Sequence, residues 1–232
     1  MERKNLRLTR PVPFMKRVVK YTAALLIAWA AFLNHLYAWE KVKEDFDAGI
    51  TVYTRAVAGS SFKEFRAVMQ IDTTLSSLVA LVEDISACGQ WIHTCKTGRL
   101  LKRINGRASY QYTINEAPWP VSDRDAVVYQ TISQDPENQS VTVNILGVAD
   151  YIPPQKDLVR VKKIKGYWRF TPLGGSRVEV VYQVHNDPGG SLPSWLVNSA
   201  AVSQPFNTLL NMRKMVNHPK YRKAGYDYIK EK

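Results

Sequence analysis

The chain has 232 residues, 45% of them apolar, and a formal charge of +12. That apolar share fills a core for one domain and excludes a disordered chain. Seven of the lysines and arginines and one acid, Glu2, fall in the first 38 residues, so the remainder carries +6. Such a balance suits weak attraction to an anionic membrane surface and falls short of the basic footprint of a nucleic-acid binder.

Taken from the start, Arg3, Lys4, Arg7, Arg10, Lys16, Arg17 and Lys20 precede an apolar run at 23–33, and Leu36-Tyr37-Ala38 offers a cleavage site. Residues 1–38 therefore read as a signal peptide that sends the protein to the periplasm or another exported location. The apolar run is shorter than the roughly 20 residues that span a bilayer. Its long basic flank leaves an uncleaved inner-membrane anchor as the alternative.

Residues 39–46 read as a short charged helix. Segments 50–57 and 62–71 follow as a hairpin around Ala58-Gly59-Ser60-Ser61, with Phe65, Ala67, Met69 and Ile71 alternating against Glu64, Arg66 and Gln70. Asp72-Thr73-Thr74 supplies a helix cap before Leu75, Leu78, Val79, Val82 and Ile85 at helical spacing. A second short helix is expected at 89–93.

Cys88 and Cys95 bracket His93. An exported chain permits a disulfide across this interval; two buried thiols and a three-ligand zinc site stay open beside it. No fourth zinc ligand stands near in sequence.

From Gly98 the texture is β: 99–105, 107–115, 125–133, 140–149, 158–165, 167–171 and 177–186, parted by turn signals that include Asn105-Gly106, Asp135-Pro136-Glu137-Asn138, Gly166 and Leu173-Gly174-Gly175-Ser176. A long amphipathic helix at 193–215 closes the pattern, with Trp195, Val202, Phe206, Leu209 and Leu210 on one face. Short connections make the strands antiparallel, and this helix is the element long enough to cover the apolar face of their sheet.

Two segments stand in register with that order: Pro118-Trp119-Pro120-Val121-Ser122-Asp123-Arg124-Asp125, and Asn186-Asp187-Pro188-Gly189-Gly190-Ser191-Leu192-Pro193-Ser194-Trp195, around a third at Ile152-Pro153-Pro154-Gln155-Lys156. Over about residues 40–217 the chain resembles the steroidogenic acute regulatory protein-related lipid-transfer (START) domain family. The resemblance implies an α+β helix-grip fold, a curved antiparallel sheet wrapped around the long C-terminal helix, in a domain at 39–217 followed by a basic tail at 218–232. It implies binding and transfer of a lipid or other hydrophobic molecule in an internal cavity, without catalysis, by a monomer in transient contact with a membrane.

By motif register Gln111 and Gln130 fall where some sterol-binding members carry a buried ion pair, and they become the expected polar contacts. Tyr110, Tyr112 and Ile114 are the competing inward phase. Trp195, Val202, Phe206 and Leu209 are the expected cavity wall, and Tyr151, Ile152, Pro153 and Pro154 the expected gate. Arg124 and Asp125 read as an ion pair or turn anchor. Glu116, Asp123 and Asp125, the densest acidic group, are expected at solvent.

An enzyme of the helix-grip cyclase or hydroxylase-component type is the alternative, with a periplasmic interaction protein of vestigial cavity as the third reading. No Ser-His-Asp arrangement, zinc-protease spacing, phosphate loop or dinucleotide fingerprint occurs, so no catalytic residue, metal or cofactor is expected. The basic residues at 156–165 and 213–223 suit a solvated face or an anionic membrane surface.

Overall fold

The computed structural model, which describes residues 38–231, resolves residues 40–187 into ten strands with three helical pieces between the third and fourth. The expected signal segment lies outside the described residues apart from Ala38. Strands β1 (Glu40–Asp45), β2 (Ile50–Arg55) and β3 (Glu64–Asp72) lead to helix α1 (Leu75–Glu83), a 3-10 turn (Ile85–Ala87) and α2 (Cys88–Trp91). Seven strands follow: β4 (Cys95–Asn105), β5 (Ala108–Asn115), β6 (Arg124–Gln134), β7 (Val141–Gly147), β8 (Val159–Arg160), β9 (Lys163–Gly174) and β10 (Arg177–Asp187). The chain ends in α3 (Ser194–Met215) and the single turn α4 (Pro219–Arg222).

The sheet order is β1-β2-β3-β10-β9-β7-β6-β5-β4, with β8 beside β6 as the one parallel pair among the described residues. Pairing of β10 with β3 joins the first hairpin to the later strands and makes the sheet continuous. The long helix α3 lies on β2 and β3 and against α2, so the architecture is the α+β helix-grip fold.

Register puts the core on one face. One row of paired positions runs Val141, Phe170, Val180, Met69, Ile50, and the next runs Ile132, Val143, Trp168, Tyr182, Ala67, Val52. Every residue in both rows is buried. Trp168 stacks on Tyr182 with ring centroids 3.7 Å apart, and Trp91 of α2 tilts onto Trp168 at 5.7 Å. Thr74 caps α1 by accepting from the Ser77 amide at 3.1 Å.

Three expectations are corrected. Residues 39–46 form edge strand β1 rather than a helix: the free edge of β2 supplies a ladder that a helix would forgo, and Trp39 is held between the guanidinium groups of Arg55 and Arg66 at 4.5 and 4.3 Å. Gly166 is no turn but the middle of β9, where an added Cβ would stand 2.3 Å from the Gln183 carbonyl oxygen. The tail beyond 217 is built into the domain. Tyr221 and Ile229 are buried, and the Glu231 carboxylate accepts from the amides of Leu75 and Ser76 at 2.9 and 2.8 Å.

Candidate functional site

A third row on the core face differs from its neighbours. It runs Ser109, Gln130, Ile145, Gly166, Val184, Phe65, Thr54 from β5 to β2, apolar in the middle and polar at both ends. Gln111 lies two residues along β5 from Ser109, on the same face, and donates to the Ser109 hydroxyl at 3.4 Å. Gln111 and Gln130 are both buried. Pairing of Tyr110 with Tyr129 puts the competing tyrosine phase on the opposite face.

Across from the sheet, α3 buries Ala201, Pro205, Phe206, Thr208, Leu209 and Met212. Phe206 and Leu209 therefore face inward, whereas Val202 is only half-buried. Trp195 is 70% exposed, which corrects its expected place in an interior wall. None of residues 194–200 is buried, so the first turns of α3 extend past the packed interface. They are tied by Asn198, whose side-chain oxygen accepts from the Lys63 amide at 2.9 Å. Pro205 has no amide hydrogen for the helix ladder and is itself buried, one turn after Ala201, the first buried residue of α3.

Buried polar atoms without a partner occur on both sides of the core: Thr54 Oγ1 and Gln130 Nε2 on the sheet, Trp91 Nε1 on α2 and Gln204 Oε1 on α3. Each such atom costs about 1–3 kcal/mol when left unpaired, so a set of them on facing elements is a marked departure from ordinary core chemistry. Burial pushes the Tyr182 hydroxyl up to about 12, with Gln204 beside it pulling the other way. Chemically, this interior offers amide, hydroxyl and indole groups to a neutral or weakly polar ligand, embedded in apolar wall.

The stretch expected as a gate folds onto the outer face. Tyr151 stacks on Tyr110 with centroids 4.0 Å apart, Ile152 is half-buried, and Pro153 and Pro154 are exposed. Arg160 fastens this stretch. Its Nε and Nη2 each donate to the Asp125 carboxylate at 2.9 Å, and its remaining hydrogens reach the carbonyls of Ala149, Ile152 at 3.0 Å and Pro153 at 3.1 Å. The hydrogen bond to Asp125 holds the Arg160 guanidinium above its ordinary pKa against the opposing effect of burial. Asp125 is fully buried, which corrects its expected solvent position, and its ionic partner is Arg160 rather than the adjacent Arg124.

Cys88 and Cys95 form a disulfide with Cα atoms 5.8 Å apart, which takes up both sulfurs of the zinc reading. The bridged loop supports α3: the His93 amide donates to Thr208 Oγ1 at 3.1 Å and Asn211 Nδ2 donates to the Trp91 carbonyl at 3.3 Å. An open surface cleft of about 340 Å³, lined by Gln90, Asn211, Lys214, Met215, Asn217 and His218, includes none of the inward polar atoms.

Sequence reasoning missed Ser109, Thr54, Trp91, Gln204 and Arg160. The parity of Gln111 already implies Ser109. Thr54 is implied in the same way by the parity of Ile50 and Val52, whereas Gln204 and Arg160 leave no local signal, because their neighbours come from distant strands.

A family model described as START domain matches residues 32–222. An uncharacterised protein of Pseudomonas aeruginosa is 36% identical over 199 residues, 86% of this chain and 97% of that one. The phosphatidylcholine transfer protein of Bos taurus is 30% identical over 183 residues, 76% of this chain and 83% of that one. Among solved structures, the STAR-related lipid transfer protein (fragment 25–204) of Xanthomonas axonopodis is 38% identical with a TM-score of 0.71, covering 77% of this chain and 98% of that one.

Proposed function

This chain belongs to the START domain family, and from that premise we propose that it is a non-catalytic carrier that takes one lipid or similar hydrophobic molecule between its sheet and α3. The observation that carries this reading is the set of unpartnered polar atoms at Thr54, Trp91, Gln130 and Gln204 within a largely apolar interior. A ligand carbonyl accepts from Gln130 Nε2 or Trp91 Nε1 and a ligand hydroxyl donates to Gln204 Oε1, while its apolar body replaces side-chain contacts. The names of the phosphatidylcholine transfer protein and the STAR-related lipid transfer protein support the same class of cargo.

Withdrawing about 300 Å² of apolar surface from water at about 25 cal/mol per Å² supplies roughly 7 kcal/mol before ordering costs, the scale on which the interior competes with a bilayer. Entry proceeds past the unburied first turns of α3, which have few contacts to break. The 149–157 loop, latched by Arg160, forms the stiffer lip of that gate. Trp119 and Trp195, 92% and 70% exposed, meet the membrane interface during exchange. The protein acts as a monomer on the exported side of a membrane, after cleavage of residues 1–38 or tethered by them.

Native mass spectrometry with lipid extraction of protein purified from its host tests the reading; a protein that neither retains nor transfers lipid defeats it. Val202→Trp, at a half-buried position on α3, is expected to abolish lipid uptake while the melting temperature stays near that of the parent. Unaltered uptake would show that this face of α3 is core rather than wall.

A further inference from the structure

Arg124 opens β6 and is only 7% exposed, yet among the described residues it makes no ion pair. Both neighbouring acids are engaged elsewhere. Asp123 accepts from Lys96 Nζ at 2.8 Å and from the Ala117 amide at 3.1 Å, and Asp125 is taken by the Arg160 fork. Of the Arg124 nitrogens, Nη1 donates to the Ser122 carbonyl, whereas Nε is buried with no partner. Buried charges are ordinarily paired, because an isolated one loses its hydration without return.

The guanidinium points at the turn between β10 and α3. A Cβ added to Gly190 would stand 3.8 Å from Arg124 Nη2, and one added to Gly189 would stand 3.7 Å from Lys162 Cγ and 2.8 Å from the Arg160 carbonyl oxygen. Both glycines have left-handed backbones, φ +69° and +67°, so the turn approaches these cationic side chains with no side chain of its own between. Asp187, the acid within the turn, spends one carboxylate oxygen on the Gly189 amide at 3.0 Å.

We propose that Arg124, at the Gly189–Gly190 turn, is a binding site for a tetrahedral phosphorus oxyanion, inorganic phosphate or a phosphate ester. A phosphate oxygen there accepts from the free edge of the guanidinium, a bond about twice as strong as one between neutral groups. The site lies where the Pro-Trp-Pro loop and the entrance to α3 meet, so a lipid phosphodiester at the mouth and free phosphate are the two sources of this chemistry. The lipid source rests on the carrier reading; the oxyanion site itself does not.

The test begins with the unaltered full-length protein. Inorganic phosphate is titrated while the ¹⁵N–¹H resonance of Arg124 Nε is followed, assigned by its absence from Arg124→Lys. A saturable shift of that resonance, with the other arginine Nε signals unmoved, is expected. No shift overturns the proposal and makes Arg124 a structural anchor. In the second arm, parent and Arg124→Gln are offered vesicles of phosphatidylcholine or of phosphatidylcholine doped with diacylglycerol of the same acyl chains. A fall of about tenfold in preference for phosphatidylcholine, the loss of one charge-assisted hydrogen bond, assigns the site to a lipid headgroup. An unchanged preference beside a saturable phosphate shift assigns it to free phosphate. A parent that extracts neither lipid sinks the carrier reading and leaves the phosphate titration to decide the oxyanion site by itself.

Discussion

Gln130 is where stability and the proposed ligand chemistry conflict. Its buried amide nitrogen has no partner, so an apolar side chain of similar length is expected to fit the unliganded fold better. Gln130→Met should raise the urea midpoint, by about 1 kcal/mol of stability, while weakening retention of bound lipid. Lower stability together with unchanged lipid retention would show that the amide serves the fold alone. Asp125 is the opposite case. It is fully buried, and Asp125→Asn leaves the Arg160 guanidinium without its counter-charge, with an expected loss of about 3 kcal/mol measurable by denaturant unfolding. The same substitution frees the carbonyls of Ala149, Ile152 and Pro153 from a rigid fork, so protease cleavage within 149–157 should accelerate.

Among the elements, α3 and the C-terminal tail divide the work of covering the core. The carboxyl-terminal part of α3 is clamped: Arg213 donates to the carbonyls of Ala48 and of Gln70, the latter at 3.2 Å, and Met212 and Val216 are buried. Its amino-terminal turns carry no buried residue. This asymmetry is what would let one helix serve as both lid and core in the proposed carrier. The tail secures α1 in turn, since Glu231 accepts from the two first amides of that helix and favours the positive end of its dipole. Glu231→Gln is expected to cost about 1 kcal/mol, read from thermal melting, and removal of 226–232 to cost more because Ile229 leaves the core. Equal melting temperatures for parent and truncated protein would refute that account.

For the whole molecule, a set of tyrosines ties stability to alkaline pH. Burial pushes the Tyr182 and Tyr228 hydroxyls up to about 12, and burial followed by the nearby carboxylates of Asp84 and Glu83 raises Tyr221 and Tyr226 further. In each the folded state holds a proton that the unfolded chain releases near its ordinary tyrosine value of about 10. Their contribution is therefore complete below about pH 10 and is lost as pH rises through the folded values, by about 12 for Tyr182 and Tyr228 and later for Tyr221 and Tyr226, so the melting temperature should fall from about pH 10 upward. The phenolate absorbance of these residues is expected to rise together with loss of far-ultraviolet circular dichroism; phenolates that form in a still-folded protein would contradict the burial argument.

Much of this was legible in residue order. Alternation in Phe65-Arg66-Ala67-Val68-Met69 marks a strand half in the core, the Thr74 cap and the 3.6-residue spacing mark α1, and the turn residues before Ser194 mark the start of a long helix. These are local signals, set by backbone geometry and the burial of one face. The two inward glutamines were reached through motif register, because parity along a strand separates Gln111 from Tyr110 and Tyr112 without saying which of the two phases faces the core. What tertiary structure decided is which distant groups meet. Edge pairing made a strand of the charged segment 40–45, since a free ladder outweighs a short helix. The partner of Asp125 proved to be Arg160, 35 residues away, and not its neighbour Arg124. Adjacent side chains on a strand point to opposite faces, so proximity in sequence cannot report an ion pair across a sheet. That separation leaves Arg124 uncompensated beside the turn before α3, a feature visible only when β6, β8 and β10 are brought together.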